Sequence, residues 1–282
     1  VKGERERKMR SIPSSGLWRT VSITALLSTL LLLFGFGYSV KDMLWPSEST
    51  YIGEDLSAKP PASAKLAERK EILVTAIGDS LTKGTGDATG EGYVKQVIPL
   101  LSEKLKVPVK LNNNLALNGQ RADQLADKLA KDKGVRYSLS QANLILFTIG
   151  GNDLFQIATG QSASEATGEL NMDKLQKELP KGLERLERVI KALNEINPNA
   201  TIVYVGMYNP FYDLKDLKDG SLEVQKWNQQ AYEMIHQYPN MMMVPTFDLF
   251  EKSIERYLSS DHFHPNNEGY AQIAARIVQS LE

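Results

Sequence analysis

The stretch SSDHFHPNNEGY, residues 259–270, holds two of the chain's three histidines, His262 and His264, directly after Asp261. Histidine is the side chain best suited to moving a proton at neutral pH, and a neighbouring carboxylate fixes its tautomer and stabilises its cation. A three-residue offset within a turn lets Asp261 reach Nδ1 of His264 while Nε2 faces outward. His262 is one residue from Asp261 and points elsewhere in such a turn, so the spacing favours His264. Pro265 and Asn266 stiffen the exit into a following helix. The natural target of this pair is a hydroxyl, because a serine is a poor nucleophile until a base takes its proton. Ser80 qualifies, standing in GDSLTKG (78–84) at the end of a short apolar run.

Other chemistries fit less well. Asp-His-x-His suits zinc, but a zinc site needs a third protein ligand. The remaining histidine, His236, lies in a predicted helix, so no metal is expected. His262 is read as a rim residue and His236 as helix surface or packing. GDSLTKG has its lysine before its glycine, and GTGDATG lacks the dinucleotide spacing, which rejects both as phosphate cradles. No cofactor is expected.

The elements that position these residues follow from the apolar pattern. ILVTAIG (72–78), VKLNNNLAL (109–117), NLILFTIGG (143–151), TIVYVGMY (201–208) and MMMVPTF (241–247) read as strands. Amphipathic helices are predicted over 93–105, 121–132, 173–196, 222–237 and 268–281. The third carries Leu175, Leu179, Leu183, Leu186, Ile190 and Leu193 on one face, with Pro180 as a kink or restart. Five strand–helix alternations predict a three-layer α/β/α sandwich on a five-stranded parallel sheet. For the flavodoxin-like order 2-1-3-4-5, ligands bind between strands 1 and 3, beyond their carboxyl ends. Ser80 ends strand 1 and Asn152, in IGGNDLF, ends strand 3. Asp153 is expected to cap the turn that Asn152 begins, and Asp79 to serve a structural hydrogen bond. Tyr208, Asn209, Phe211 and Tyr212 follow strand 4 as pocket lining or loop packing.

Four motifs in order, GDSLT, NGQ around Gly119, GGND and DHFHPN, resemble those of the SGNH (GDSL-type) lipase and esterase superfamily, across residues 70–282. The contexts GDSLTKGTGD, GEGYVKQ and GMYNPF are most similar to its membrane-anchored or secreted branch from Gram-positive bacteria. The resemblance implies Ser80 as nucleophile, His264 as base and Asp261 behind it. It implies an oxyanion hole from the Ser80 and Gly119 N–H groups and the Asn152 amide. The expected activity is an acyl-enzyme esterase acting on a small-molecule, lipid or glycan ester. One rival is an acyl (acetyl) transferase on cell-wall glycans with the same triad. A second is a non-catalytic wall-binding module, against which the intact set of five residues speaks.

Composition bounds the setting. A net charge of −1 gives no reason to expect nucleic acid, and the absence of cysteine excludes disulfides, thiolate metal sites and a lipidated cysteine anchor. Residues 20–40 are uncharged; as a helix they span about 31 Å, enough for a bilayer core of about 30 Å. Six basic and two acidic residues precede them, so the positive-inside rule keeps residues 1–19 cytoplasmic and exports the rest. The apolar stretch outruns a typical signal peptide and lacks a good cleavage site, so it reads as a transmembrane signal anchor; secretion after cleavage is the alternative. Residues 41–69, with Pro46, Pro60 and Pro61, read as an extracytoplasmic linker, and 70–282 as the hydrolase domain.

Overall fold

The computed structural model describes residues 14–44, 64–154, 172–210, 212–213 and 220–281. The chain divides into two units, Val1–Ser57 and Ala58–Glu282. The first contains helix α1 (Ser14–Leu44), whose stretch Trp18–Tyr38 is 21 residues long with a mean hydropathy of 1.9. By length and composition it can cross a membrane, compatible with a signal anchor or a signal peptide. Its threonine hydroxyls bond within the helix: Thr24 and Thr29 donate to the Thr20 and Ala25 carbonyls at 2.9 Å, and Thr20 to the Gly16 carbonyl at 3.3 Å. That arrangement suits surroundings without water.

The second unit begins ahead of residue 70. The single turn α2 (Ala64–Ala67) buries Leu66 in the same core cluster as Ile72, so the expected linker is not tether throughout. Residues 45–63 lie outside the described residues. Five parallel strands follow: β1 (Ile72–Gly78), β2 (Val109–Asn114), β3 (Leu144–Thr148), β4 (Thr201–Val205) and β5 (Met241–Val244), in the order β2-β1-β3-β4-β5. This is the predicted order. Between them run α3 (Ser80–Lys83), α4 (Gly92–Leu105), α5 (Ala122–Lys131), α6 (Lys133–Ser140), α7 (Met172–Ile196) and α8 (Gly220–Ile235), and after β5 come α9 (Phe247–Glu251), α10 (Ile254–Tyr257) and α11 (Asn267–Ser280).

The central strand β3 shows why both sheet faces are covered. Ile145 and Phe147 join one apolar cluster and Leu144 and Leu146 the other, all fully buried. Side chains alternate across a strand, so a run apolar at every position needs helices on both sides. Leu125, Leu186, Ile190 and Trp227, from α5, α7 and α8, cover the first face; Tyr93, Val97, Tyr270 and Ile277, from α4 and α11, cover the second. Each such side chain contributes about 1.5–3 kcal/mol on burial.

Helix α7 runs through Pro180 rather than restarting there. Proline forfeits one backbone bond, and the leucine stripe buried beyond it, Leu183 to Leu193, outweighs that loss. Strand β5 stops at Val244 because Pro245 has no N–H to continue the ladder. β3 also ends short of the predicted 151, freeing Ile149–Gly151 to build a loop.

Candidate active site

Ser80 owes its place to Gly78 and Asp79. Gly78 takes φ +136°, and a Cβ there would lie 2.0 Å from the Thr148 carbonyl oxygen, so only glycine lets β1 turn so close to β3. Asp79 then caps α3, accepting from Leu81 N–H at 3.1 Å and from the Thr148 hydroxyl at 2.6 Å. Burial raises the Asp79 carboxyl above its ordinary value, against the pull of those two donors. Ser80 thereby opens a helical turn, its N–H without a hydrogen-bond partner among the described residues.

The turn 259–264 carries Asp261, His262 and His264. Ser259 N–H donates to the His264 carbonyl at 2.8 Å and His262 N–H to the Ser259 carbonyl at 3.0 Å, closing a tight loop. His262 turns it with φ +55°, a left-handed conformation that costs a non-glycine residue about 1–2 kcal/mol. In return Asp261 and His264 face each other. Asp261 Oδ2 lies 2.6 Å from His264 Nδ1; Oδ1 accepts from Ser259 Oγ at 2.7 Å, Phe263 N–H at 3.0 Å and His264 N–H at 2.9 Å. Partial burial works against the Asp261 charge, but the His264 ring and these other donors outweigh it and hold the carboxyl at about 2.

The far side of the buried His264 ring meets the serine: Nε2 lies 2.8 Å from Ser80 Oγ. An ionised carboxylate can only accept, so the neutral ring carries its proton on Nδ1 and turns the Nε2 lone pair to the serine hydroxyl. A hydroxyl held in this way can lose its proton and attack a carbonyl carbon.

Two close approaches fix the turn 259–264, one to the segment after β4 and one to the segment after α3, and neither was visible from sequence spacing. Tyr208 donates its hydroxyl to the Phe263 carbonyl at 2.7 Å and stacks on Phe250 at 4.0 Å. Gly86, at φ +93°, lies so close that a Cβ would come within 2.7 Å of both His264 Cβ and the Pro265 carbonyl. Only the glycines of GTGD hinted at this approach. Thr82, Thr148 and Tyr93 also escaped notice; their hydroxyls form a buried chain at 2.7 Å per link that ends on Asp79.

Asn152 follows β3 and Gly119 follows β2, and the two loops are joined at Gln120. Gly150, at φ +120°, brings the chain against Trp227, where a Cβ would lie 2.3 Å from the indole. The following turn buries Asn152, whose Nδ2 donates to the Gln120 carbonyl at 3.0 Å. Gly119 takes φ +73° with open space around it, and its N–H has no partner among the described residues. Asp153 does not cap its own turn as expected. It reaches across to the Ala122 N–H at 2.8 Å, which opens α5, with Arg185 at 3.4 Å.

The other histidines stand apart from this pairing. His262 is half-exposed, its Nε2 3.1 Å from Asp213 Oδ2. His236 is exposed in the turn just after α8, bonded to the Tyr232 carbonyl at 2.8 Å. Tyr212 donates to Glu251 at 2.7 Å and Asn209 to Ser221 at 2.8 Å, whereas Phe211 lies outside the described residues. Among the described residues, no group of three or more His, Asp or Glu side chains is placed to hold a metal ion.

Comparisons with known proteins agree with this architecture. The uncharacterized protein YpmR of Bacillus subtilis (strain 168) is 35% identical over 217 residues, 76% of this chain and 83% of that protein. The spore germination lipase LipC of Bacillus licheniformis is 24% identical over 211 residues, 73% of this chain and 94% of that protein. The crystal structure of the lipase Lip_vut3 from a goat rumen metagenome superimposes with a TM-score of 0.63 at 22% identity, covering 75% of this chain and all of that one. The acetylxylan esterase Axe2 of Geobacillus stearothermophilus gives 0.54–0.55 at 15% identity, over 74% and 94% of the two chains. Residues 76–272 match the GDSL-like Lipase/Acylhydrolase family, and with that match over most of its length this chain belongs to the GDSL-type hydrolases.

Proposed function

We propose that this GDSL hydrolase is a membrane-tethered, extracytoplasmic serine esterase in which Ser80, His264 and Asp261 form the catalytic triad. The observation that carries the reading is the unbroken line from Asp261 through His264 to Ser80, with contacts of 2.6 and 2.8 Å. His264 Nε2 takes the Ser80 proton as Oγ attacks the ester carbonyl carbon. Negative charge then develops on the carbonyl oxygen, which the Ser80 and Gly119 N–H groups and the Asn152 amide receive. Each well-placed donor is worth about 2.7–4 kcal/mol in the transition state. His264 next gives its proton to the departing alcohol oxygen, leaving an acyl ester on Ser80. Water, deprotonated by the same ring, releases the acid.

The names borne by the relatives, lipases and an acetylxylan esterase, put lipid and acetyl-sugar esters within the expected substrate range. Placement outside the cytosol rests on the basic residues before the apolar helix. The test uses the full chain in detergent with p-nitrophenyl acetate, butyrate and a long-chain ester, beside Ser80→Ala, His264→Ala and His262→Ala and a fluorophosphonate probe. Hydrolysis and labelling that require Ser80, collapse without His264 and persist without His262 support the proposal. A folded protein that neither hydrolyses nor takes the label overturns it.

A further inference from the structure

The oxyanion donors lie on two loops far apart in sequence, and something must hold them in register. Consecutive residues after β3 grip the segment that carries Gly119. Asn152 takes the Gln120 carbonyl at 3.0 Å, and the buried carboxylate of Asp153 takes the Ala122 N–H at 2.8 Å. Gly119 is the residue just ahead of this grip. Backbone bonds close the turn around it, Leu117 N–H to the Gly78 carbonyl at 2.9 Å and Gln120 N–H to the Leu117 carbonyl at 3.3 Å. Nothing packs on Gly119 itself, however: no atom beyond its chain neighbours lies within 4 Å of where a Cβ would be, and the Thr85–Asn118 hydrogen bond of 2.9 Å is exposed. The Gln120 side chain adds no anchor through its buried Oε1, which has no hydrogen-bond partner among the described residues.

We infer that Asp153 is a positioning residue for the oxyanion hole, locking the Asn152 turn to the Gly119 loop through the first N–H of α5, with Arg185 as its counterion. The inference rests on the esterase mechanism proposed above. A carboxylate at a helix N-terminus is favoured by the exposed N–H groups there, and a charge-assisted bond is stronger than a neutral one. Arg185 reaches Asp153 from α7 at 3.4 Å. The nearby Arg121 is engaged with Asp123 at 3.0 Å, which leaves Arg185 as the cation bonded to Asp153. Tyr204 is the remaining titratable group that senses Asp153, and its hydroxyl already donates to the Ile149 carbonyl at 2.9 Å. Asp153 touches no reacting atom; it acts through the two donors whose separation it sets.

The test compares Asp153→Ala, Asp153→Asn and Arg185→Gln in the full chain, with each variant's thermal midpoint confirming a folded protein at the assay temperature. The readouts are kcat, KM and affinity for a trifluoromethyl ketone, which adds to the serine and places an oxyanion in the hole. Loss of one oxyanion donor costs about 10²–10³-fold in kcat, and loosening two without removing them should cost about 10²-fold. Asp153→Ala is expected to lose that much in kcat, with KM within about threefold and ketone affinity falling in parallel. Asp153→Asn keeps an acceptor for Ala122 N–H and should recover most of the loss. Folded Asp153→Ala with wild-type kcat and ketone affinity overturns the inference while leaving the triad intact. A wild-type protein with no Ser80-dependent turnover or labelling would instead defeat the mechanism beneath it.

Discussion

Asp261→Asn isolates what the carboxylate does, because it changes charge while nearly preserving shape. Asp261 Oδ1 accepts from three donors in its own turn, and an asparagine oxygen can take over those bonds. The substituted amide nitrogen then faces His264 Nδ1, where Asp261 Oδ2 stood at 2.6 Å. Two N–H groups cannot face each other, so the ring must put its proton on Nε2 and turn an N–H toward Ser80. The base has lost its lone pair in the direction that matters. Even when the productive tautomer forms, the imidazolium lacks its counter-charge. For charges about 4 Å apart at an effective dielectric near 20 that loss is about 4 kcal/mol, or roughly three decades in rate. The tautomer penalty adds to it, so kcat/KM on p-nitrophenyl acetate should fall about 10³–10⁴-fold. The thermal midpoint should stay within a few degrees, since the turn keeps its bonds. A folded Asp261→Asn protein that retains more than a tenth of wild-type kcat/KM would refute the assignment of Asp261 as the group behind the base.

Gly86→Ala puts a methyl within 2.7 Å of His264 Cβ, in a φ +93° conformation that alanine resists; a base moved by about 1 Å should lower kcat up to about 10²-fold, read by steady-state kinetics with His264 still present. Thr148→Val keeps the volume but removes the hydroxyl that donates to buried Asp79 at 2.6 Å. Hydrogen bonds to charged groups are worth about 1.5–3 kcal/mol, so denaturant unfolding should show a loss of that size. Asp153 supplies a pH test, because burial, against the pull of Ala122 N–H and Arg185, pushes its carboxyl up to about 6, whereas an unfolded aspartate ionises near 3.9. The native state therefore binds the extra proton between those values. The associated stability is full below about pH 4 and is lost as pH rises through about 6, a change of roughly 2–3 kcal/mol. Asp153→Asn should flatten that part of the stability–pH curve, and an unchanged curve would show that the carboxyl does not titrate there.

The covered sheet and the Asp261–His264 pair could be anticipated from local signals, whereas Ser80 as their target, 184 residues away, came from the family resemblance. Fully apolar runs such as LILFT force two covered faces, and a three-residue offset in a turn brings Asp261 to His264. What sequence could not give was set by approach between distant segments. Gly86 looks like any loop glycine until His264 is placed against it. Tyr208 reads equally as pocket or packing until its hydroxyl finds the Phe263 carbonyl, 55 residues away. Asp153 was expected to follow the local rule that a short polar side chain caps its own turn. Its partner is instead Ala122, 31 residues away, because burial after Gly150 aims the carboxylate across the sheet end rather than along the chain. The early start of the domain at Leu66 has the same origin, since one leucine in a Pro- and Ala-rich stretch gives no period to read.

The turns after β1, β3 and α10 supply the proposed nucleophile, an oxyanion donor and the proposed base, and each is tied down by an aspartate that accepts a backbone N–H: Asp79 from Leu81, Asp153 from Ala122 and Asp261 from His264. A chain without cysteine cannot brace such loops with disulfides, and carboxylates are the strongest acceptors it has. Their environments separate them. Asp261 gathers enough donors to be held at about 2 despite partial burial, whereas burial outweighs the donors of Asp79 and Asp153 and raises both, Asp153 to about 6. The chain of hydroxyls from Tyr93 through Thr82 and Thr148 must end on an acceptor, so Asp79 and its buried donors lock one another in a single sense. Asp153 has no such chain behind it. Acid should therefore protonate Asp153 well before it touches Asp261, and the protonated carboxyl, like an asparagine, still accepts from Ala122 N–H. In the inferred mechanism, the wild type below about pH 6 then binds an oxyanion mimic as Asp153→Asn does at the same pH, and a fall to the level of Asp153→Ala would show that the charge rather than the acceptor holds the loop.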